Sequence, residues 1–148
     1  MWAGTLAHND LTGCGTTGDW ATHNIEHELS GLFDVSHGAG LAAVWGSWAR
    51  YTRNENLPRF ARFAHNVMGI DTTNMSDMEA SDAGIKAMEQ FFRSIGMPTD
   101  IHTLVGKDIT DAEIEEMAQK CTNGDTTTIG GLKILHAADI VKIYQMAK

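Results

Sequence analysis

Two short strings most constrain what this chain can fold into: Ser76-Asp-Met-Glu79 and Thr110-Asp-Ala-Glu113, each placed just ahead of residues that recur at helical spacing. In such a box the hydroxyl satisfies the third backbone donor of a helix while the glutamate reaches back to the cap, so each string marks a helix start. Behind the first, Ala80, Ala83, Ala87, Met88, Phe91, Phe92 and Ile95 form a long apolar stripe that ends near Gly96, and Pro98 bars its continuation. Behind the second, Ile114, Met117 and Ala118 face inward as far as about Cys121.

The same period recurs elsewhere. Met1 to Leu11 carries Trp2, Leu6, Ala3 and Ala7 on one stripe, and the glycines between Leu11 and Gly18 then turn the chain. Asp19 is placed to cap a helix over Trp20 to Leu32 with Ile25, Leu29 and Leu32 on its inner face. After a short connection at Phe33 to Ser36, a helix from His37 or Gly38 runs through Leu41, Val44, Trp45 and Trp48 to the region of Tyr51. Its small residues Gly38, Ala39, Gly40, Ala42 and Ala43 allow close approach of a backbone or a ligand. Pro58 suits the first turn of a helix carrying Phe60, Phe63, Ala64 and Val67. Thr99 to Asp108 reads as loop with a short turn at Ile101 to Val105, and Asn123 to Gly131 as polar and flexible in character. Asp139 to Met146, or a start several residues earlier, closes the chain with Ile140, Ile143 and Tyr144 on its inner face. The expectation is an all-α domain of five to seven helices, with little room for a sheet and no short internal repeat.

A chain of 148 residues supports one core, burying roughly two thirds of the surface its unfolded form exposes. Nineteen acidic against eleven basic residues give a formal charge of -8, a field that repels a phosphate backbone. The basic group Arg50, Arg53, Arg59 and Arg62 is broken by Glu55 and lacks aromatic interleaving, so a nucleic-acid partner is not expected. No segment approaches the roughly 18 apolar residues of a membrane span, and no export signal opens the chain. Two cysteines, Cys14 and Cys121, do not make a disulfide scaffold, and a reduced cytoplasmic setting is the natural reading. The first helix begins without a preceding cap or loop, which suggests a domain truncated on its N-terminal side.

Histidines concentrate in one place. His23 and His27 are four residues apart and project from one helical face, and His37 opens the next helix after a short return. Two neutral imidazoles from adjacent elements can share a divalent ion when each is oriented through its second nitrogen, although spacing alone also fits surface polar residues. The order of residues differs from H-E-x-x-H, which sets aside a zinc peptidase. Glu26, Glu28 and Asp34 are available carboxylates, with Glu26 turned away from His23 by the helix more readily than toward it. Two ligands leave a catalytic shell incomplete, so further donors must come from an absent segment, another chain or water.

The run Gly18-Asp-Trp-Ala-Thr-His23-Asn-Ile-Glu-His27-Glu-Leu-Ser-Gly-Leu-Phe-Asp-Val-Ser-His37-Gly-Ala-Gly-Leu41-Ala resembles the signature of iron-containing (group III) alcohol dehydrogenases, in particular their butanol dehydrogenase-like branch. The likeness continues through Phe91-Phe92-Arg-Ser-Ile-Gly96-Met-Pro98, the segment Asp108 to Met117 and the ending Asp139-Ile-Val-Lys-Ile-Tyr144. It spans essentially the whole chain but less than half of a usual member. The resemblance implies the helical C-terminal domain of a two-domain enzyme whose nucleotide domain is absent here. It implies iron or zinc held by His23 and His37 together with an earlier aspartate and histidine. It places His27 beside the metal and the reacting end of the nicotinamide, as proton relay or positioning group, and Asp19 and Trp20 in the cleft near cofactor or substrate. The implied reaction is hydride transfer between small alcohols and aldehydes with NAD or NADP. This chain has no glycine-rich phosphate cradle after a strand and no earlier Asp-x-x-x-His pair, so alone it is expected to be inactive or dependent on the missing domain. The competing expectation is a non-enzymatic helical domain that pairs with a separately encoded nucleotide domain or associates with itself.

Overall fold

A computed structural model describes residues 1–13, 15 and 18–148, and every regular element among them is helical. In chain order these are α1 (Trp2–His8), α2 (Ala21–Phe33), α3 (His37–Thr52), a single 3-10 turn (Arg53–Asn56), α4 (Leu57–Asn66), α5 (Asp77–Ser94), α6 (Ile101–Val105), α7 (Asp111–Cys121) and α8 (Ala137–Ala147). Seven of the α-helices answer the seven periodic segments, and α6 is the turn expected at the same residues. The final helix starts two residues before Asp139. Strand-like pairing among the described residues is limited to an isolated bridge between Ile129 and Leu135.

Local chemistry sets most helix starts. Ser76 and Thr110 each accept the N3 backbone N–H, and Glu79 and Glu113 reciprocate to the cap N–H at 2.8 and 2.7 Å. Asn56 caps α4, whose first turn contains Pro58. Helix α2 stops where Asp34 takes a left-handed conformation, at φ 52°, which short polar side chains tolerate better than most. The chain can then reverse within three residues and bring α3 back alongside α2.

Helix α3 is the central element, packed against α2, α5, α6 and α8. On one side lies the main core, with Ile25 and Leu29 of α2, Val44 of α3, Ile114 and Met117 of α7, and Ile140, Ile143 and Tyr144 of α8 all buried. The Tyr144 hydroxyl donates to the carbonyl of Ile25 at 2.6 Å, tying α8 to α2. On the other side Ala49, Phe60 and Ile85 form a smaller cluster under Trp45 and Trp48. There α4 and α5 approach so closely that a Cβ on Gly84 would stand 2.8 Å from the Ala64 Cβ.

Two apolar stripes are used differently from their sequence pattern. The packed face of α5 is Ala80, Ser81, Gly84 and Ile85, whereas Phe91 and Ile95 lie exposed. Small residues take the part of that face where Gly84 meets Ala64 of α4, while Ile85 packs beside Ala49 and Phe60. Helix α1 forms over part of its expected stripe, but it buries no residue and Trp2 is 74% exposed. The polar segment after α7 is tied down by the bridge to Leu135 and by Asp19, whose Oδ2 accepts the N–H groups of Gly131 and Leu132 at 3.1 and 2.7 Å.

The basic group is neutralised in part: Arg50 makes a two-pronged ion pair with Glu89, and Arg53 pairs with Asp82. Cys121 is half-buried, and burial pushes its thiol up to about 12, a protonated and unreactive state. The question of its pairing with Cys14 lies outside the described residues. None of the helices among the described residues is long and apolar enough to cross a membrane.

Candidate metal centre

Helices α2 and α3 meet at an angle set by the short turn at residues 34–36, and three imidazoles gather at that corner. His23 and His27 project from successive turns of α2, with ring centroids 6.4 Å apart. His37, the first residue of α3, places its ring 5.4 Å from His23 and 5.3 Å from His27. All three histidines singled out in the sequence are therefore brought together, although they come from different helices.

Their surroundings differ. His27 and His37 are exposed, while His23 is half-buried and its Nδ1 is enclosed without a hydrogen-bond partner among the described residues. Burial, followed by the neighbouring His37 and His27, lowers the pKa of His23, so the ring is neutral and keeps a lone pair. A neutral imidazole nitrogen that is buried and unpaired, beside two more imidazoles, is a donor set suited to a divalent cation.

Beneath the rings sits Glu26, wholly buried. Its Oε1 accepts the Ser30 hydroxyl and its Oε2 meets Nδ1 of His37. Together Glu26, His27 and His37 offer ligand atoms within 4.8 Å of one another. Space for the carboxylate comes from α3, because a Cβ on Gly40 would lie 2.5 Å from Glu26 Oε1. The spacing in α2 does turn Glu26 away from His23, but α3 lies on that side. Its contact with His37 was thus hidden from sequence, and the only local hint was the glycine at position 40.

Trp20 caps this corner. It is the N-cap of α2, and its indole meets the His23 ring edge-on with centroids 4.8 Å apart. His8 of α1, not singled out in the sequence, packs edge-on against Trp20 at 5.8 Å. Asp19 stands one residue before the cap and accepts the Ala21 N–H through Oδ1 at 2.7 Å, so it satisfies the first helical donor without being the cap itself. With its other oxygen on Gly131 and Leu132, the Asp19 carboxylate is engaged by three backbone donors. An open cavity of about 610 Å³ lies here, bounded by Ala7, His8, Asp19, Trp20 and His23.

The model of the C-terminal part of the Fe-containing alcohol dehydrogenase family matches residues 1–148, the full chain. The chain belongs to that family. NADH-dependent butanol dehydrogenase A of Clostridium acetobutylicum is 35% identical over 147 residues, covering 98% of this chain but 36% of that protein. Among solved structures, the Escherichia coli K-12 protein YqhD superposes with a TM-score of 0.88 at 31% identity, covering all of this chain and 37% of that one. NADH-dependent butanol dehydrogenase A of Thermotoga maritima superposes with a TM-score of 0.84 at 28% identity, over 99% of this chain and 37% of its own. The chain thus spans little more than a third of the length of these relatives.

Proposed function

We propose that residues 1–148 form the helical, metal-holding domain of an enzyme that interconverts small alcohols and aldehydes by hydride transfer with NAD or NADP. The observation that carries this reading is the convergence of three imidazoles at one corner, with a buried, neutral and unpartnered nitrogen on His23. In this reading His23 and His37 hold a divalent ion, iron or zinc, and the exposed His27 stands beside it. An ion held there would supply electrophilic stabilisation of the substrate oxygen, and a nicotinamide cofactor would supply the redox chemistry.

The protein's own groups then have separable tasks. His27 faces solvent next to both other rings, where it can pass the alcohol proton to water or hold the substrate oxygen in place. Trp20 supplies an apolar wall against His23, and it limits water on that side. Asp19 fixes the start of α2 to the loop at Gly131 and Leu132, which sets the position of Trp20 in the cleft where cofactor or substrate would lie. Two histidines do not complete a catalytic shell, so residues 1–148 by themselves are expected to lack dehydrogenase activity without further donors and a nucleotide-binding domain. The cytoplasm is the proposed setting.

A second reading, a helical domain whose role is association with a nucleotide-binding partner or another copy, draws on the exposed apolar side chains of Trp2, Leu11 and Trp20. Titration with Co2+ separates the two. The metal reading expects weak binding to the monomer, with d–d absorption that disappears in His23→Ala and His37→Ala, and no reduction of NAD by alcohols. Stoichiometric metal that resists desalting from the monomer would contradict an incomplete shell. Co2+ spectra unaffected by either substitution would remove the metal reading and leave association.

A further inference from the structure

Glu26 has a place in the fold that its sequence position does not disclose. It is a carboxylate with no exposure to solvent, a place where an unpaired charge is strongly penalised. Both of its oxygens are taken, one by the Ser30 hydroxyl and the other by Nδ1 of His37. Helix α3 gives up a side chain at Gly40 to admit it. A group held this way, with its oxygens committed and no path to solvent, is poorly placed to ligate an ion in the exposed corner. It is well placed to dictate the state of the ring above it.

An imidazole that is neutral carries one N–H and one lone pair, and the partner of one nitrogen decides which is which. With the carboxylate accepting at Nδ1, the proton of His37 resides on Nδ1 and the lone pair on Nε2. We propose that Glu26 is a positioning residue that locks His37 in the Nδ1–H tautomer and thereby presents Nε2 as the metal-binding atom. This inference rests on the metal reading above and assigns the carboxylate a role behind the ligand instead of in the ligand set. Ser30 contributes by holding the other oxygen, so that the carboxylate cannot rotate away.

Two measurements on the full 148-residue chain test it. Long-range 1H–15N spectra of the metal-free protein at pH 8 report the tautomer of each histidine, and His37 is expected as Nδ1–H. Glu26→Ala should release it toward the mixture found in free imidazole, whereas Glu26→Gln, whose amide oxygen can still accept from Nδ1–H, should largely retain it. Co2+ affinity should fall about 10- to 100-fold in Glu26→Ala and recover most of that loss in Glu26→Gln. Circular dichroism and urea midpoints identify any variant that has merely unfolded, and the wild-type tautomer needs no variant at all. An Nε2–H tautomer in the wild type would overturn the inference alone. So would Co2+ binding that is unchanged in Glu26→Ala, or equally weak in Glu26→Gln and Glu26→Ala, since the latter marks a direct ligand. Absence of any His37-dependent Co2+ binding in the wild type would overturn the metal reading and this inference with it.

Discussion

Between α3 and α5, Arg50 sets two guanidinium nitrogens on Glu89 at 2.6 and 2.7 Å, and each charge has its complement. Between α2 and α3, three imidazoles gather with ring centroids 5.3 to 6.4 Å apart, His37 rests on Glu26, and the buried Nδ1 of His23 has no hydrogen-bond partner among the described residues. Both interfaces use α3, and both give up a side chain to let a carboxylate in, at Gly46 under Glu89 and at Gly40 under Glu26. An orphaned atom alone does not separate them, because the Ser81 hydroxyl on α5 is also buried and unpaired. The difference is convergence: one interface uses polar groups to close a packing contact, while the other collects lone pairs that packing does not need.

The strongest way to break that comparison is to add one methyl group at a pure packing contact, between α4 and α5, and one at the histidine corner. In a helix interior, alanine for glycine ordinarily gains about 1 kcal/mol. At Gly84 the new methyl would meet the Ala64 Cβ and backbone, and at Gly40 the wholly buried Glu26 side chain, so both substitutions should reverse that sign and cost about 1–3 kcal/mol in urea unfolding. The two should part company at the metal centre. Gly84→Ala is expected to leave Co2+ spectra and the His37 tautomer unchanged, while Gly40→Ala, by displacing Glu26, should alter both. Equal effects of the two at the histidines would mean that the corner simply follows global stability.

How far this distinction could be read from sequence depends on the range of the interaction involved. The starts of α4, α5 and α7 follow from residues within one turn, namely Pro58, Ser76 with Glu79, and Thr110 with Glu113. The three histidines were legible as a group because their spacing, and a resemblance carried by the same residues, both pointed there. The burial of Glu26 was not, since it depends on which face of α3 returns beside α2. Nor was the use of α5, where Phe91 and Ile95 share a period with Ala80 yet remain outside, because the α4 contact selects residues by size. Helix α1 shows the same limit: its stripe predicts a helix, and it says nothing of what would cover Trp2.

A smaller effect is expected at the caps, on the packing side of the comparison. Thr110 accepts the Glu113 N–H at 3.1 Å, and Thr110→Ala should cost about 1 kcal/mol by freeing a helix donor that only water can then satisfy. Tyr144→Phe removes the hydroxyl that joins α8 to the Ile25 carbonyl, again worth about 1 kcal/mol in thermal or urea unfolding. Because Ile25 lies on the same helix as His23 and His27, this variant sharpens the comparison from the other side. Co2+ binding as in the wild type would show that α2 is held in place redundantly, whereas a weakened site would show that the packing core positions the imidazoles.

The smallest expected effect is a pH dependence that also belongs to packing. The Thr110 backbone N–H and hydroxyl, followed by the Lys107 ammonium, hold the Glu113 carboxyl well down, at about 2 against an ordinary 4.5. A carboxylate whose folded pKa is depressed contributes stability that is present above its unfolded value and lost as pH falls toward the folded one. Glu113 should therefore help hold the start of α7 above about pH 4.5 and cease to do so progressively between pH 4.5 and 2. Other carboxylates, including Glu79, Asp125 and Asp139, are lowered too, so acid alone will unfold the chain for several reasons at once. The informative quantity is the difference in melting temperature between wild type and Glu113→Gln. It should be greatest near neutrality, shrink through that window and vanish at its lower end. A difference that stays constant down to pH 2 would show that the carboxyl acts through its shape and hydrogen bonding capacity rather than its charge.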